Sequence, residues 1–214
     1  IISTREHFDY QSAGQLIQGH NMTDYVYSSD LANNSNSKEY NQLSCPPKKE
    51  IAIYIHGVWT DERSANEQFS RTAMSLASNY YSIPLIGFSW DSNTPINKDG
   101  WETAKNIAER NGPKLAQFVI ENKNKCRDTD IRFLAHSLGA AVVKSALASL
   151  SSNQEWNDKS GLNITSVHLL GAAIDRSSVA GNTTFGNAID KVVGDFHNLR
   201  NSEDNMLEYV YRYV

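Results

Sequence analysis

The stretch Ile131-Arg132-Phe133-Leu134-Ala135-His136-Ser137-Leu138-Gly139-Ala140-Ala141-Val142-Val143 decides the fold. Its first part is a short apolar run of the kind shown by a strand buried on both faces. Its second part, continuing to Leu150, has the composition and length of a helix. No loop-forming residues separate the two, so the chain must turn sharply at Ser137. A serine on such a turn is held in a strained backbone conformation, and small residues are needed two positions to either side so that strand and helix can approach. Ala135 and Gly139 meet that need. The helix that follows aims its amino-terminal NH groups and its dipole at the turn, where they would stabilise charge developing on a substrate oxygen. Ser137 is thus the candidate nucleophile, and the amide of Leu138 a candidate oxyanion donor. The competing reading is a serine that only caps the helix. His136 is expected to pack rather than to react.

Outward from this point, short apolar runs alternate with amphipathic stretches from Glu50 onward. Residues 51–55, 83–90, 131–135 and 164–173 read as strands, and 196–200 as a weaker fifth. Residues 61–79 place Phe69, Ala73, Leu76 and Ala77 on one helical face, and 101–123 do the same with Ile107, Leu115, Phe118 and Val119. Residues 138–150 and 185–193 complete the helices. Right-handed crossovers wind such units into a doubly wound, mostly parallel α/β sheet with helices on both faces, whose ligand sites lie at the carboxyl ends of the strands. Residues 1–49 are polar and rich in Asn and Ser, least structured at Asn33-Asn34-Ser35-Asn36-Ser37 and closed by Pro46-Pro47. They read as an irregular arm ahead of a core spanning 50–214, with Tyr25-Val26-Tyr27 as a candidate edge strand.

A chain of 214 residues with 40% hydrophobic content can bury one good core. Its net charge of -4 comes without a clustered basic face, which excludes the usual electrostatics of nucleic-acid binding. No window approaches the roughly 18 consecutive apolar residues of a membrane span. The first residue is Ile1 rather than Met, and the chain is expected to be processed or cut from a longer one.

The first strand ends in Ile55-His56-Gly57-Val58-Trp59. A His-Gly pair at that point turns the backbone so that a second amide, best that of Val58, faces the nucleophile. Gly57 permits the turn, His56 braces it, and Trp59 is expected to line an acyl pocket. With the elbow at Ser137 and with Phe88-Ser89-Trp90-Asp91 after the second strand, the sequence resembles the α/β-hydrolase superfamily of esterases and lipases, more narrowly its lipase-like branches. The resemblance covers residues 50–214 and leaves out the arm. It implies a hydrolase without metal or organic cofactor that acts on small-molecule or lipid esters. A thioesterase or peptidase would use the same elbow, and a binding or scaffold protein could keep the fold without catalysis.

The resemblance also implies a chain order of serine, acid, histidine. Asp204 stands where the family keeps its acid, with Asp175 the alternative and Glu203 third. No histidine follows His197 in this sequence, so the base is expected after Val214, in a loop after a last strand that the sheet lacks. Cys45 and Cys126, too few for a disulfide scaffold, are buried thiols, free thiols or one bridge. In α/β-hydrolases the strands that follow them are parallel neighbours, which favours the bridge and, with it, a secreted or extracytoplasmic protein over a cytoplasmic one. Asn-x-Ser/Thr sequons at Asn21, Asn33, Asn163 and Asn182 point the same way.

Overall fold

A computed structural model of the chain describes residues 1–28, 45–46, 48–159 and 161–200. In chain order its elements are β1 (Ile2–Ser3), β2 (Phe8–Asp9), β3 (Gln15–Leu16), β4 (Val26–Tyr27), β5 (Glu50–Ile55), α1 (Glu62–Ser78), β6 (Leu85–Ser89), α2 (Lys98–Lys125), β7 (Asp130–His136), α3 (Gly139–Ser152), α4 (Gln154–Asp158), β8 (Ile164–Leu170), α5 (Thr184–Val192) and β9 (Val193–Leu199). Among the described residues a 7-stranded sheet runs in the order β4-β1-β6-β5-β7-β8-β9. Every pairing in it is parallel except that of β1 with β4. This is the doubly wound α/β architecture that the alternation of runs predicts, and the five predicted strands are β5 to β9.

The alternation of side chains along parallel strands assigns the two faces. Ile51, Ile53 and Ile55 of β5, with Ile131, Phe133 and Ala135 of β7 and Val167 and Leu169 of β8, join one core with Ile107, Leu115 and Phe118 of α2 and Val143 and Leu147 of α3. Tyr54 points to the other face, where it packs with Ala65 and Phe69 of α1. Gly87 of β6 makes room there: a Cβ on it would lie 2.3 Å from the Phe69 ring.

The interior Gly112-Pro113 pair of α2 would ordinarily break a helix, because proline lacks the amide that bonds four residues back. In α2 the orphaned carbonyl of Glu109 instead accepts from the Ser145 hydroxyl of α3 at 2.6 Å. Gly112 lets the two helices approach, since a Cβ there would sit 2.3 Å from Ser145 Cβ. The helix that follows the turn at Ser137 is thereby fastened to α2, the longest helix among the described residues.

The first 28 residues, read from sequence as an arm, contribute two short strands to the sheet, while β2 and β3 pair with each other in a separate two-stranded sheet. β1 extends the main sheet beside β6, and β4, at the Tyr25-Val26-Tyr27 segment, forms its edge. Ile2 and Phe8 join the main core. Strands of 2 residues are too short for alternation to reveal them. At the opposite end of the strands, Cys45 and Cys126 form a disulfide with a Cα–Cα distance of 5.5 Å. Among the described residues no helix is long and apolar enough to cross a membrane.

Candidate active site

Ser137 sits between β7 and α3 with φ of 52°, in the left-handed region that disfavours residues with a Cβ. Three hydrogen bonds hold it there. Its amide donates to Leu170 O at 3.0 Å, and its carbonyl accepts from Ala173 N and Ala140 N, each at 3.1 Å. The end of β8 and the segment just after it therefore clamp both backbone groups of the serine. The helix-capping alternative fails on geometry: Leu138 holds the N-cap position of α3, and no side chain caps it.

Two glycines let the turn and the loop after β5 touch. A Cβ on Gly139 would meet the carbonyl oxygens of Ile55 at 2.6 Å and His56 at 2.7 Å. A Cβ on Gly57 would lie 3.0 Å from Ser137 Cβ and 3.2 Å from His136 Nδ1. Ala135, where a first glycine would be commoner, is fully buried in the core and its methyl is accommodated. Among the described residues, neither the Val58 amide nor the Leu138 amide donates to a backbone carbonyl. His136 corrects an expectation: it is exposed beside Gly57, at the end of β7, rather than buried.

His56 is fully buried, its ring stacked on Trp90 with centroids 5.5 Å apart. Nε2 accepts from Trp90 N at 3.1 Å and from Arg5 Nη2 at 3.2 Å. Nδ1 lies 2.9 Å from Gly57 O and, with Nε2 committed to accepting, is the nitrogen that donates. Burial, reinforced by the Arg5 charge, pushes the imidazole down to about 3, so it is neutral at ordinary pH. The loop is tied on its other side to the segment after β6. Trp90 Nε1 donates to His56 O at 2.9 Å, Trp59 N to Ser92 O at 2.8 Å, and Ser92 Oγ to Thr60 O at 3.0 Å. Trp90 of the Phe88-Ser89-Trp90-Asp91 element and Ser92 just beyond it thus carry the loop's supports. Trp59 is half-buried near Trp101, and among the described residues its buried indole N–H has no hydrogen-bond partner.

Of the candidate acids, Asp175 is exposed and accepts from Ser177 N and Ser177 Oγ, each at 2.7 Å, capping a short 3-10 turn. Asp204 and Glu203 lie outside the described residues. His168 and His197 stack on each other across β8 and β9 with centroids 4.7 Å apart. Asp91, beyond β6, accepts from Glu6 N at 3.0 Å and Phe8 N at 3.2 Å; burial raises its pKa.

Donor atoms suited to a metal gather away from this site, at His7, His20 and Asp24, all within 4.8 Å of one another. The fully buried Lys114 ammonium already stands in the cation's position, bonded to Asp24 Oδ1, to His7 Nδ1 at 3.0 Å and to Asn21 O at 2.5 Å. Sequence reading missed Arg5 and Ser92. The two-residue spacing of Trp90 and Ser92 was a usable signal for the latter, whereas nothing local marks Arg5.

Over residues 32–209 the chain matches the family model for alpha/beta hydrolases of unknown function (DUF900), and it belongs to that family. Its sheet and helices are those of an α/β-hydrolase fold. No curated protein matches it.

Proposed function

We propose that this α/β-hydrolase is a serine hydrolase that cleaves carboxylic esters, lipid esters included. Ser137 Oγ attacks the ester carbonyl, a base takes its proton and returns it to the leaving alcohol, and water then hydrolyses the acyl-enzyme. The amides of Val58 and Leu138 stabilise the oxyanion, and Trp59 lines the acyl side with an unused indole N–H. The observation that carries this reading is the left-handed backbone of Ser137, φ 52°, at the head of α3. Strain of this kind persists only where surrounding structure over-determines it, and it clusters at sites of chemistry.

In the same scheme the acid is Asp204, because the Asp175 carboxylate is engaged in capping its own turn. The base is a histidine that follows the acid in chain order. A second reading, a binding protein that keeps the fold without turnover, is supported by the stacking of His168 on His197, the histidines that follow Ser137 in this sequence. Labelling of the full-length protein with a fluorophosphonate separates the two. Attachment at Ser137, lost in Ser137→Ala, is expected; an unlabelled wild type would favour the binding reading.

We also infer a location outside the reducing cytosol, supported by the Cys45–Cys126 bridge. Protein isolated without reductant and then denatured should titrate no thiols from this pair. Two thiols would refute the inference.

A further inference from the structure

We infer that Arg5 is a positioning residue for the Val58 amide, acting through His56 and the carbonyl of Gly57; this rests on the hydrolase reading above. The chain of contacts is short. Arg5 Nη2 reaches His56 Nε2 at 3.2 Å and donates to Thr60 O at 3.1 Å, while Nε donates to Ser89 Oγ at 2.9 Å. One planar guanidinium therefore bridges residues 56 and 60, two positions to either side of Val58.

The link to Val58 runs through the imidazole. With Arg5 and Trp90 N both directed at Nε2, that nitrogen is the acceptor and Nδ1 carries the hydrogen, which it donates to Gly57 O at 2.9 Å. The carbonyl of Gly57 and the N–H of Val58 belong to the same peptide unit. That unit is planar and trans, so fixing the direction of the carbonyl fixes the direction of the amide. Arg5, together with the Trp90 amide, thus sets the orientation of the donor proposed for the oxyanion without touching the substrate.

The arm is built to deliver this side chain. Thr4 N donates to Ser89 O at 2.9 Å, and Glu6 N and Phe8 N donate to the Asp91 carboxylate at 3.0 and 3.2 Å, so the backbone is pinned on both sides of residue 5. Farther along, Lys114 ties His7, Asn21 and Asp24 to α2. Among the described residues Arg5 has no carboxylate within ion-pair distance; Asp91, Glu62 and Asp61 act on it only as nearby charges. Its guanidinium instead bonds the loop, at His56 and Thr60, and the end of β6, at Ser89.

The test uses the full-length protein, a fluorophosphonate whose fluoride Ser137 Oγ displaces from phosphorus, and p-nitrophenyl butyrate as ester. Removing one oxyanion donor outright costs about 100- to 1,000-fold in kcat, so misorienting one should cost about 10- to 100-fold. Arg5→Ala, verified as folded by near-ultraviolet circular dichroism, is expected to lose that factor in labelling rate and in kcat with KM little changed. Added methylguanidinium should restore part of the loss and leave the wild type unaffected. Arg5→Lys should fall between the two, because one nitrogen replaces the fork, and it carries the test if Arg5→Ala does not fold. Labelling of the variants at the wild-type rate overturns the inference while leaving the hydrolase reading intact. So does a loss that methylguanidinium does not relieve. A wild type that is not labelled at Ser137 overturns both.

Discussion

Ser137→Gly and Ser137→Ala remove the same hydroxyl, yet they should differ in stability, and in a direction that reports the turn rather than the chemistry. At φ of 52° the Cβ of an L-residue crowds its own carbonyl oxygen. That conformation costs about 1–2 kcal/mol, which alanine retains and glycine escapes. Glycine in turn loses about 0.5–1 kcal/mol more chain entropy on folding than alanine. The balance favours Ser137→Gly by roughly 0.5–1 kcal/mol. Relaxation of the backbone cannot hide the difference, because both backbone groups of Ser137 are bonded to the end of β8 and to the start of α3. In urea, with a slope of about 2 kcal/mol per molar, the midpoints should lie about 0.25–0.5 M apart.

A matched pair in the helix removes the ambiguity. Ser149 lies within α3, where the backbone is right-handed. There glycine should be the less stable partner by about 1 kcal/mol. The prediction is therefore a reversal of sign between two serines separated by one helix, measured on inactive and active variants alike. If Ser137→Ala proves as stable as Ser137→Gly, or more so, the backbone at 137 is not left-handed and the elbow is wrong, whatever the labelling shows.

Three further outcomes can be measured. Gly139→Ala would place a methyl 2.6 Å and 2.7 Å from two backbone carbonyl oxygens, which cannot swing aside as a side chain can; a loss of about 1–3 kcal/mol in urea unfolding is expected, and a neutral result would contradict the close approach. Reducing the Cys45–Cys126 bridge, which closes a loop of 81 residues, should lower stability by about 4–5 kcal/mol in the chain-entropy model, visible as a lower thermal midpoint in reductant. Stability should also fall with acid. The buried imidazoles of His56 and His7 are pushed down to about 3 and about 4, chiefly by burial and, for His7, also by Lys114. The unfolded chain therefore takes up protons from about pH 6.5 downward while the folded one does not. Stability is full above that pH and is lost toward pH 4, at up to about 1.4 kcal/mol per pH unit for each histidine, and a urea midpoint flat from pH 7 to 4.5 would refute it.

How much of this was legible from residues alone follows from how local each determinant is. β5 to β9 and their helices announce themselves through periodicity, because a strand buried on both faces and a crossover helix each impose a pattern on consecutive positions. The elbow is legible because Ala135, Ser137 and Gly139 stand two apart at a strand-helix junction, although the crowding that demands the glycine comes from the carbonyls of Ile55 and His56. The His-Gly loop was readable as a turn. Its supports were only half readable, since Trp90 and Ser92 lie in one short segment but act on residues more than thirty positions earlier. Arg5 was not readable at all. β1 has 2 residues, its partners are Phe88 and Ser89, and the side chain that matters reaches Thr60 and His56.

The limit is physical rather than statistical. Burial of apolar groups is governed by local spacing, so it leaves a trace in the sequence, whereas a hydrogen bond between two loops leaves none until the fold has brought them together. In this molecule the proposed nucleophile, Ser137, belongs to the first kind and the setting of the proposed oxyanion donor, the Val58 amide, to the second. A motif search would therefore rank Ser137 first and leave residues 1–28 aside, although those residues orient His56. Truncating the arm should accordingly weaken labelling at Ser137 more than it weakens the binding of a ligand that makes no use of the Val58 amide. Equal losses in both would mean that the arm serves stability alone.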